Sequence, residues 1–372
     1  MTFFDPKPKV KKEDLYNREE ELEKLKFALK TSPLILILGL RRTGKTSLLY
    51  TTLNEFKIPN IIVDLRALPQ DKVLSLSEFT SILRQQINNF LLKRRKIAKH
   101  FLKLVEHVEG IRVMGLSISF KKSRREKINL AGLFEALNEA AEREGIRMVV
   151  AFDEAQELRR IAAYRLDRLL AYIYDRLRSI TLILTGSQIG LLYSFIGVNN
   201  PASPLYGRAR SEIHLKNFTH EQSRTFLIEG FKQYNMHPPD NFIEYAINKL
   251  NGVVGWLTLL GYKAVTQRRV DKSLVDEMIE EAEKLALNEF NHFLNLRWQA
   301  KRRYILIMKT IARLEKATWT QIKTSLEISI NKKVDDKNFT TLLKNLVNSG
   351  FIHKNQIGEY EISDPILKYA LK

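Results

Sequence analysis

Strand-sized and wholly apolar, Leu34-Ile35-Leu36-Ile37-Leu38 runs directly into Gly39-Leu40-Arg41-Arg42-Thr43-Gly44-Lys45-Thr46, which fits G-x-x-x-x-G-K-[ST] without a mismatch. The pattern constrains the fold because it works only as a turn between a buried strand and the start of a helix. Its glycines let successive backbone N–H groups turn inward around phosphates, and the following helix points its positive end at them. Lys45 then supplies a charge for the β- and γ-phosphates, and the Thr46 hydroxyl a ligand for Mg²⁺. Gly39, Arg41, Arg42, Thr43, Gly44 and Ser47 complete the candidate cradle, and ATP with Mg²⁺ is the expected occupant. A chance match in an ordinary loop lacks the flanking elements; here residues 45–56 resume a helical pattern.

Further buried strands are predicted at 61–64, 148–152 and 181–184, with helical patterns at 14–30, 77–107, 130–144 and 165–178. Strands alternating with helices give a parallel sheet covered on both faces, an α/β core. Residues 111–113 and 116–120 alternate around Met114-Gly115 as a hairpin. The strand at 148–152 ends in Asp153-Glu154. In a phosphate-loop enzyme an acid here holds Mg²⁺ (Asp153), and its neighbour polarises the attacking water (Glu154). Two acids capping the next helix would read the same way on their own, but the loop upstream favours the site. Thr185-Gly186-Ser187 ends the next strand, where Ser187 can touch the γ-phosphate or the water. Gln156 is a further polar contact or a solvated helix residue.

From 220 the pattern becomes all-helical, with helices at 220–234, 240–250, 256–266 and 272–296. Residues 301–314, 320–326 and 336–348 form a helical trio, and 351–354 and 359–362 pair around a turn. Three helices and a hairpin are the order of a winged helix-turn-helix.

Hydrophobic residues at 44% are enough for a proper core, and the absence of cysteine removes disulfides, thiol nucleophiles and thiolate metal sites. No apolar stretch approaches the roughly 20 residues of a membrane helix, and residues 1–12 lack a signal-peptide core, so a cytoplasmic protein is expected. A formal net charge of +19 favours polyanion partners, chiefly nucleic acid, although lysine-rich solvated helices give the same sum. The basic runs at 93–96 and 121–127 carry that ambiguity locally.

Together these segments resemble an archaeal ATPase of the P-loop AAA+/STAND superfamily. Leu15-Tyr16-Asn17-Arg18-Glu19-Glu20-Glu21-Leu22 is similar to the family's motif near the adenine, which implies a nucleotide contact for Arg18; Asn17 stands where relatives usually have Gly. Leu205-Tyr206-Gly207-Arg208-Ala209-Arg210 resembles the G-R segment. That implies a γ-phosphate sensor in Arg208, with Arg210 second, acting in its own subunit or a neighbouring one. Gly252-Val253-Val254-Gly255-Trp256-Leu257 resembles the G-x-P-type motif of the helical lid, with Gly255 near the position of the missing proline.

The resemblance implies an AAA+ core at 1–215, a helical lid at 216–297 and a winged helix at 298–372. It implies an ATP-driven, Mg²⁺-dependent switch. The alternative is a DNA-binding regulator, or a replication-initiator-like protein, whose affinity ATP merely sets. In a winged helix the third helix enters the major groove, here with Lys337, Asn338, Thr341, Lys344 and Asn345 outward. Asp335 and Asp336 oppose phosphate at its start, and such modules also dock proteins or self-associate. A small-molecule kinase would leave the lid, the Gly207-Arg208 segment and the winged helix without purpose.

Overall fold

The computed structural model describes residues 2–69, 73–120, 128–161 and 164–372. The basic run at 121–127 lies outside the described residues. The α/β part comprises α1 (Glu19–Thr31), β1 (Leu34–Gly39), α2 (Lys45–Glu55), β2 (Asn60–Asp64), α3 (Leu76–Lys93), α4 (Arg95–Val105), β3 (Ile111–Met114), β4 (Ser117–Phe120) and α5 (Leu130–Arg143). It continues through β5 (Met148–Asp153), α6 (Leu166–Arg176), β6 (Ile180–Gly186), α7 (Ile189–Ile196) and β7 (Ser211–Leu215). Five strands pair in parallel in the order β2-β5-β6-β1-β7, and β3-β4 is the separate hairpin.

The apolar runs of β1, β5 and β6 are buried throughout, as strands covered on both faces must be. On one face Leu22, Leu25, Leu48 and Leu49 of α1 and α2 pack on Ile35, Ile37, Val149 and Ile183. On the other, Leu83, Leu133, Leu137 and Leu170 of α3, α5 and α6 pack on Leu36, Val150 and Leu182.

Several boundaries differ from the sequence pattern for local reasons. The helix expected from 14 starts at Glu19, because Asn17 takes a left-handed φ of 51° and residues 12–14 form a separate 3-10 turn. The helical stretch at 77–107 is two helices broken at Arg94, inside the exposed run 93–96, where four adjacent cations repel. The half-polar edge strand β7 and the short helix α7 carried too little periodicity to be read.

The lid is α8 (His220–Lys232), α9 (Asp240–Leu250), α10 (Val254–Gln267) and α11 (Lys272–Asn295). The winged helix follows: α12 (Lys301–Leu314), α13 (Trp319–Ile330), α14 (Asp336–Asn348), β8 (Ile352–Lys354), β9 (Tyr360–Ile362) and a closing α15 (Pro365–Leu371). Reciprocal capping boxes, Thr219 with Gln222 and Thr318 with Gln321, start α8 and α13. Lid and winged helix share one continuous apolar core, from Phe226 and Trp256 through Phe290 to Phe339 and Ile362. No helix is long and apolar enough to cross a membrane among the described residues.

The N-terminal segment belongs to that core and not to the sheet. Phe4 is fully buried, with its ring 4.9 Å from that of Phe231, and packs so closely on α8 and α10 that a Cβ at Gly230 or Gly261 would lie 2.3 Å from it. Truncating a buried phenylalanine costs about 3–5 kcal/mol. Phe4→Ala should therefore lower the unfolding free energy by that amount, read by chemical denaturation followed with lid-dominated far-UV circular dichroism.

Candidate nucleotide site

All five strands point their C-terminal ends at one edge, and the strand order decides what meets there. β6 lies between β1 and β5, so the tip carrying Thr185 and Ser187 falls between the phosphate loop and Asp153-Glu154. The loop leaves β1 at Gly39, where a Cβ would come within 2.7 Å of both Leu215 O and Thr43 Oγ1. It enters α2 through Gly44 at φ 94°, a conformation L side chains rarely adopt. No side chain caps α2, so the first N–H groups of its opening turn remain available for an anion. Lys45 is buried, and its ammonium donates to the carbonyls of Gly39 (3.0 Å) and Leu40 (2.8 Å), reaching back across the loop. Burial pushes its pKa down, and the charges of Glu154 and Asp153 partly offset this.

Asp153 is fully buried and anchors the polar cluster. Its carboxylate accepts hydrogen bonds from Thr46 Oγ1 at 2.9 Å, from Thr185 Oγ1, and from Arg66 at 3.2 Å. Burial raises its pKa; the Thr185 bond opposes that, and the Glu154 charge adds to it. Thr185 Oγ1 also accepts the backbone N–H of Glu154 at 2.9 Å, which sets that residue in a left-handed conformation at φ 57°. The Glu154 carboxylate turns toward the loop, where Ser187 donates through Oγ (2.5 Å) and N (3.2 Å) and Gln156 through Nε2 (2.6 Å). Burial alone would raise the Glu154 pKa. Lys45 and these donors outweigh it and hold the group ionised below the ordinary glutamate value.

The donor set fits a magnesium nucleotide. A hydroxyl beside a buried carboxylate offers hard oxygen ligands of the kind Mg²⁺ shares with phosphate and water. Buried Gln156 Oε1 has no partner and lies beside Glu154. Among the described residues, a groove of about 440 Å³ runs from Thr46 past Tyr16, Arg18, Phe218 and Gly255, giving an apolar slot beside the phosphate loop.

Arg18 lines this groove, yet its guanidinium is spent on Thr43 O (3.2 Å), Lys216 O (2.7 Å) and Glu21 (3.0 Å) and lies 4.9 Å over Phe218. It ties the loop to the start of the lid. Ser47 accepts the backbone N–H of Lys9 at 3.1 Å. Gly255 N–H donates to Arg42 O at 3.0 Å, and a Cβ there would press on Arg42 Cβ at 2.6 Å. The guanidiniums of Arg41 and Arg42 are engaged by the lid, although Arg42 also lines the groove. Both pair with Glu289 on α11, Arg42 at 2.7 Å; Arg42 also stacks 4.0 Å over Trp256 and approaches Asp364 of the winged helix at 3.6 Å. Trp256 Nε1 donates to Asp364 at 3.0 Å, which closes the junction.

Arg208 is not brought to this cluster. It precedes β7 at the N-terminal edge of the sheet, about a strand length (~20 Å) from the phosphate loop. There it forks onto Asp175 at 2.9 and 2.7 Å. Arg210 pairs with Glu212 at 2.7 Å on the same edge.

Residues 15–260 match the family model of the ATPase domain predominantly from Archaea. The chain belongs to this family. Residues 298–363 match the C-terminal winged helix-turn-helix domain of MCM proteins. The chain is 33% identical to the Walker-type ATPase PABY2304 of Pyrococcus abyssi, with 99% of each chain covered and a TM-score of 0.83. It shares its fold with the ORC2 protein of Aeropyrum pernix (16% identity, 99% and 94% covered, TM-score 0.62). The same holds for CDC6P of Pyrobaculum aerophilum (14% identity, 99% and 96% covered, TM-score 0.52). No curated protein matches the sequence. The archaeal-type ATPase thus has the fold of the ORC2 and CDC6P proteins and carries a C-terminal winged helix.

Four site residues of this ATPase escaped sequence reasoning. Thr185 stood in a noted tripeptide, but its link between Asp153 and Glu154 follows only from the strand order. Arg66, two residues beyond β2, and Glu289, one of many acids on α11, had no distinguishing pattern. Asp364 likewise had no distinguishing pattern; it caps the last helix by accepting from Ile366 N–H at 2.9 Å. Because Thr185 serves both acids, Thr185→Val removes a donor to a buried carboxylate and should cost about 1–3 kcal/mol. Thermal denaturation without nucleotide measures this, with unchanged stability counting against the network.

Proposed function

We propose that the protein is an ATP- and Mg²⁺-dependent switch that hydrolyses ATP and passes the state of its phosphate loop to the lid and winged helix. Membership of the ATPase family supports nucleotide hydrolysis, and the Aeropyrum pernix ORC2 relative, solved in ADPNP–ADP complexes, supports an adenine nucleotide in the groove. In this reading Gly39, Thr43, Gly44, Lys45 and Ser47 frame the phosphates, with Arg18 and Gly255 shaping the groove. Thr46 and Asp153 would hold Mg²⁺, which neutralises developing phosphate charge. Glu154, ionised and aimed by Ser187 and Gln156, orients the attacking water and takes its proton. Arg208 is absent from its own subunit's site, so a γ-phosphate role for it requires a neighbouring subunit. For Glu154→Gln we expect nucleotide binding within about twofold of wild type and hydrolysis at least about a hundredfold slower, the lower end of general-base effects. Normal turnover in that variant would remove Glu154 from the mechanism.

The observation that carries the switch is the junction at Arg41 and Arg42. These residues sit inside the phosphate loop, yet Glu289 of the lid holds both and Asp364 of the winged helix approaches Arg42. Phosphates and these carboxylates compete for the same guanidiniums. A nucleotide shifts a two-state equilibrium only through different affinity for its states, and this competition supplies such a difference. The shared core of lid and winged helix, which also takes in the N-terminal segment around Phe4, supports movement of 216–297, 298–372 and that segment as one body against the sheet-bearing core. With Glu289→Gln the arginines are released, and ATP should bind roughly threefold to tenfold more tightly. Weaker binding in a fluorescent-nucleotide titration would show instead that Glu289 holds the loop in its binding shape.

Nucleotide-gated DNA binding is the second reading, and one contact favours it. α14 leaves Lys337, Asn338, Thr341 and Lys344 exposed, whereas its other end is seated on α7 beside Ser187: a Cβ on Gly190 would lie 2.6 Å from Asn348 Cα. Asn345 is half-buried and donates to Tyr304 at 2.9 Å, so it leaves the outward set. Seating of the recognition helix beside the catalytic cluster is a direct route from nucleotide to DNA affinity.

A further inference from the structure

Past Glu154 a second cavity of about 470 Å³ opens between the core, the end of α11 and the winged helix. Its floor includes Phe293 and Phe351, and its wall carries six arginines with three glutamates, Glu154, Glu157 and Glu289. Most of these guanidiniums are neutralised: Arg41 and Arg42 by Glu289, Arg66 by Asp64, and Arg160 by Glu157. Arg159 and Arg297 are different. Neither forms a hydrogen bond or ion pair with a carboxylate among the described residues. Arg297, half-buried, donates only to Phe293 O at 3.3 Å and lies 4.2 Å over the Phe293 ring. Desolvation by the surrounding cavity wall lowers the pKa of both groups, although the Arg159 side chain as a whole is exposed. The Glu157 charge offsets this only in part at Arg159, and the Arg159 charge lowers the pKa of Arg297 further.

Two cations without a carboxylate partner, lining one partly enclosed space and close enough for the Arg159 charge to act on Arg297, repel at a strength that water alone would damp. They also come from parts of the chain that are far apart in sequence: Arg159 follows Glu154 closely in the core, and Arg297 ends the lid. We infer that this cavity binds a phosphate-bearing ligand, distinct from the ATP of the groove, clamped between Arg159 and Arg297. Guanidinium forks match phosphate oxygens in pairs, and Gln188 and Asn288 add neutral donors at the wall. The volume suits a nucleotide-sized group. A free phosphorylated molecule and a phosphodiester of single-stranded nucleic acid share this chemistry. Trp298 is 73% exposed, and Lys301, Arg302 and Arg303 beyond it are exposed too, so a strand leaving the cavity meets a stacking surface and more cations. Because the clamp closes only with α11 over the core, such a ligand favours the closed lid.

The inference does not rest on hydrolysis. It is tested on the full chain with the groove saturated by a non-hydrolysable ATP analogue and Mg²⁺, saturation being checked by displacement of a fluorescent nucleotide. Pyrophosphate is titrated by calorimetry and a short labelled oligothymidylate by anisotropy. At least one probe should bind, and Arg159→Ala and Arg297→Ala should each weaken it roughly tenfold, with Arg159→Lys recovering part of the loss. A preference for pyrophosphate marks a small phosphorylated ligand. A preference for the oligonucleotide, with a salt slope reduced by about 0.7 in each alanine variant, marks nucleic acid. Arg159 is exposed and its side chain forms no hydrogen bond among the described residues, so its variants keep the test valid if Arg297→Ala unfolds. Absence of binding by either probe, or Arg159→Ala affinities within about twofold of wild type, overturns the inference. If the fluorescent nucleotide itself fails to bind, the ATP reading fails, and the cavity is titrated without the analogue.

Discussion

Asp153 has no solvent exposure and carries a carboxylate, a combination a protein interior tolerates only where hydrogen bonds and charge replace the lost water. Here the replacement comes from three directions at once: Thr46 at the start of α2, Thr185 on β6 and Arg66 beyond β2. Each of these elements must therefore sit in one register relative to β5. The register follows from parallel pairing, with Asp64 opposite Asp153 and Leu38 opposite Gly186. Satisfying one buried acid thus fixes the height of the phosphate loop against the edge that carries Asp153 and Glu154. Through Thr185 it fixes the backbone of Glu154 as well.

A second constraint acts at right angles to the first. Arg42 has a left-handed φ of 64°, costly for a residue with a side chain. Its side chain offsets that cost by stacking on Trp256, pairing with Glu289 and approaching Asp364, while its carbonyl takes the Gly255 N–H. Three regions distant in sequence thus converge on one loop residue. Any ligand that alters the loop near Arg42 acts on the lid and the winged helix together, since these share a single apolar core.

Local sequence carried most of the fold. The β1–loop–α2 unit was legible because a five-residue apolar run, two glycines and Lys45-Thr46 each restrict the backbone independently. The lid and winged-helix helices were legible from their helical pattern, and the winged helix from the order of three helices and a hairpin. β7 was not, since Ser211-Glu212-Ile213-His214-Leu215 is half polar, as an edge strand beside a buried one can be. The paired acids Asp153-Glu154 and the nearby Ser187 were legible by position, and the structure assembles them. Arg208 shows the limit: its short motif resembled a sensor, but a contact across a sheet depends on which edge the loop occupies. Glu289 shows the converse. Nothing in an acid-rich helix distinguishes the one glutamate that faces the phosphate loop, because that choice is made by how α11 packs over the core.

The distribution of charge ties these points together. A chain with formal charge +19 gathers arginines around its phosphate loop, yet neutralises several of them internally through Glu289, Asp64 and Glu157. Burial opposes ionisation of Glu289, and the two arginines overcome it, holding its pKa below the ordinary value. Exchanging that carboxylate for phosphate replaces one charge-assisted set of hydrogen bonds by another of similar kind. The free-energy gap between the two arrangements is then a difference of like terms. In the proposed switch, each ~1.4 kcal/mol of that difference would change the populations tenfold.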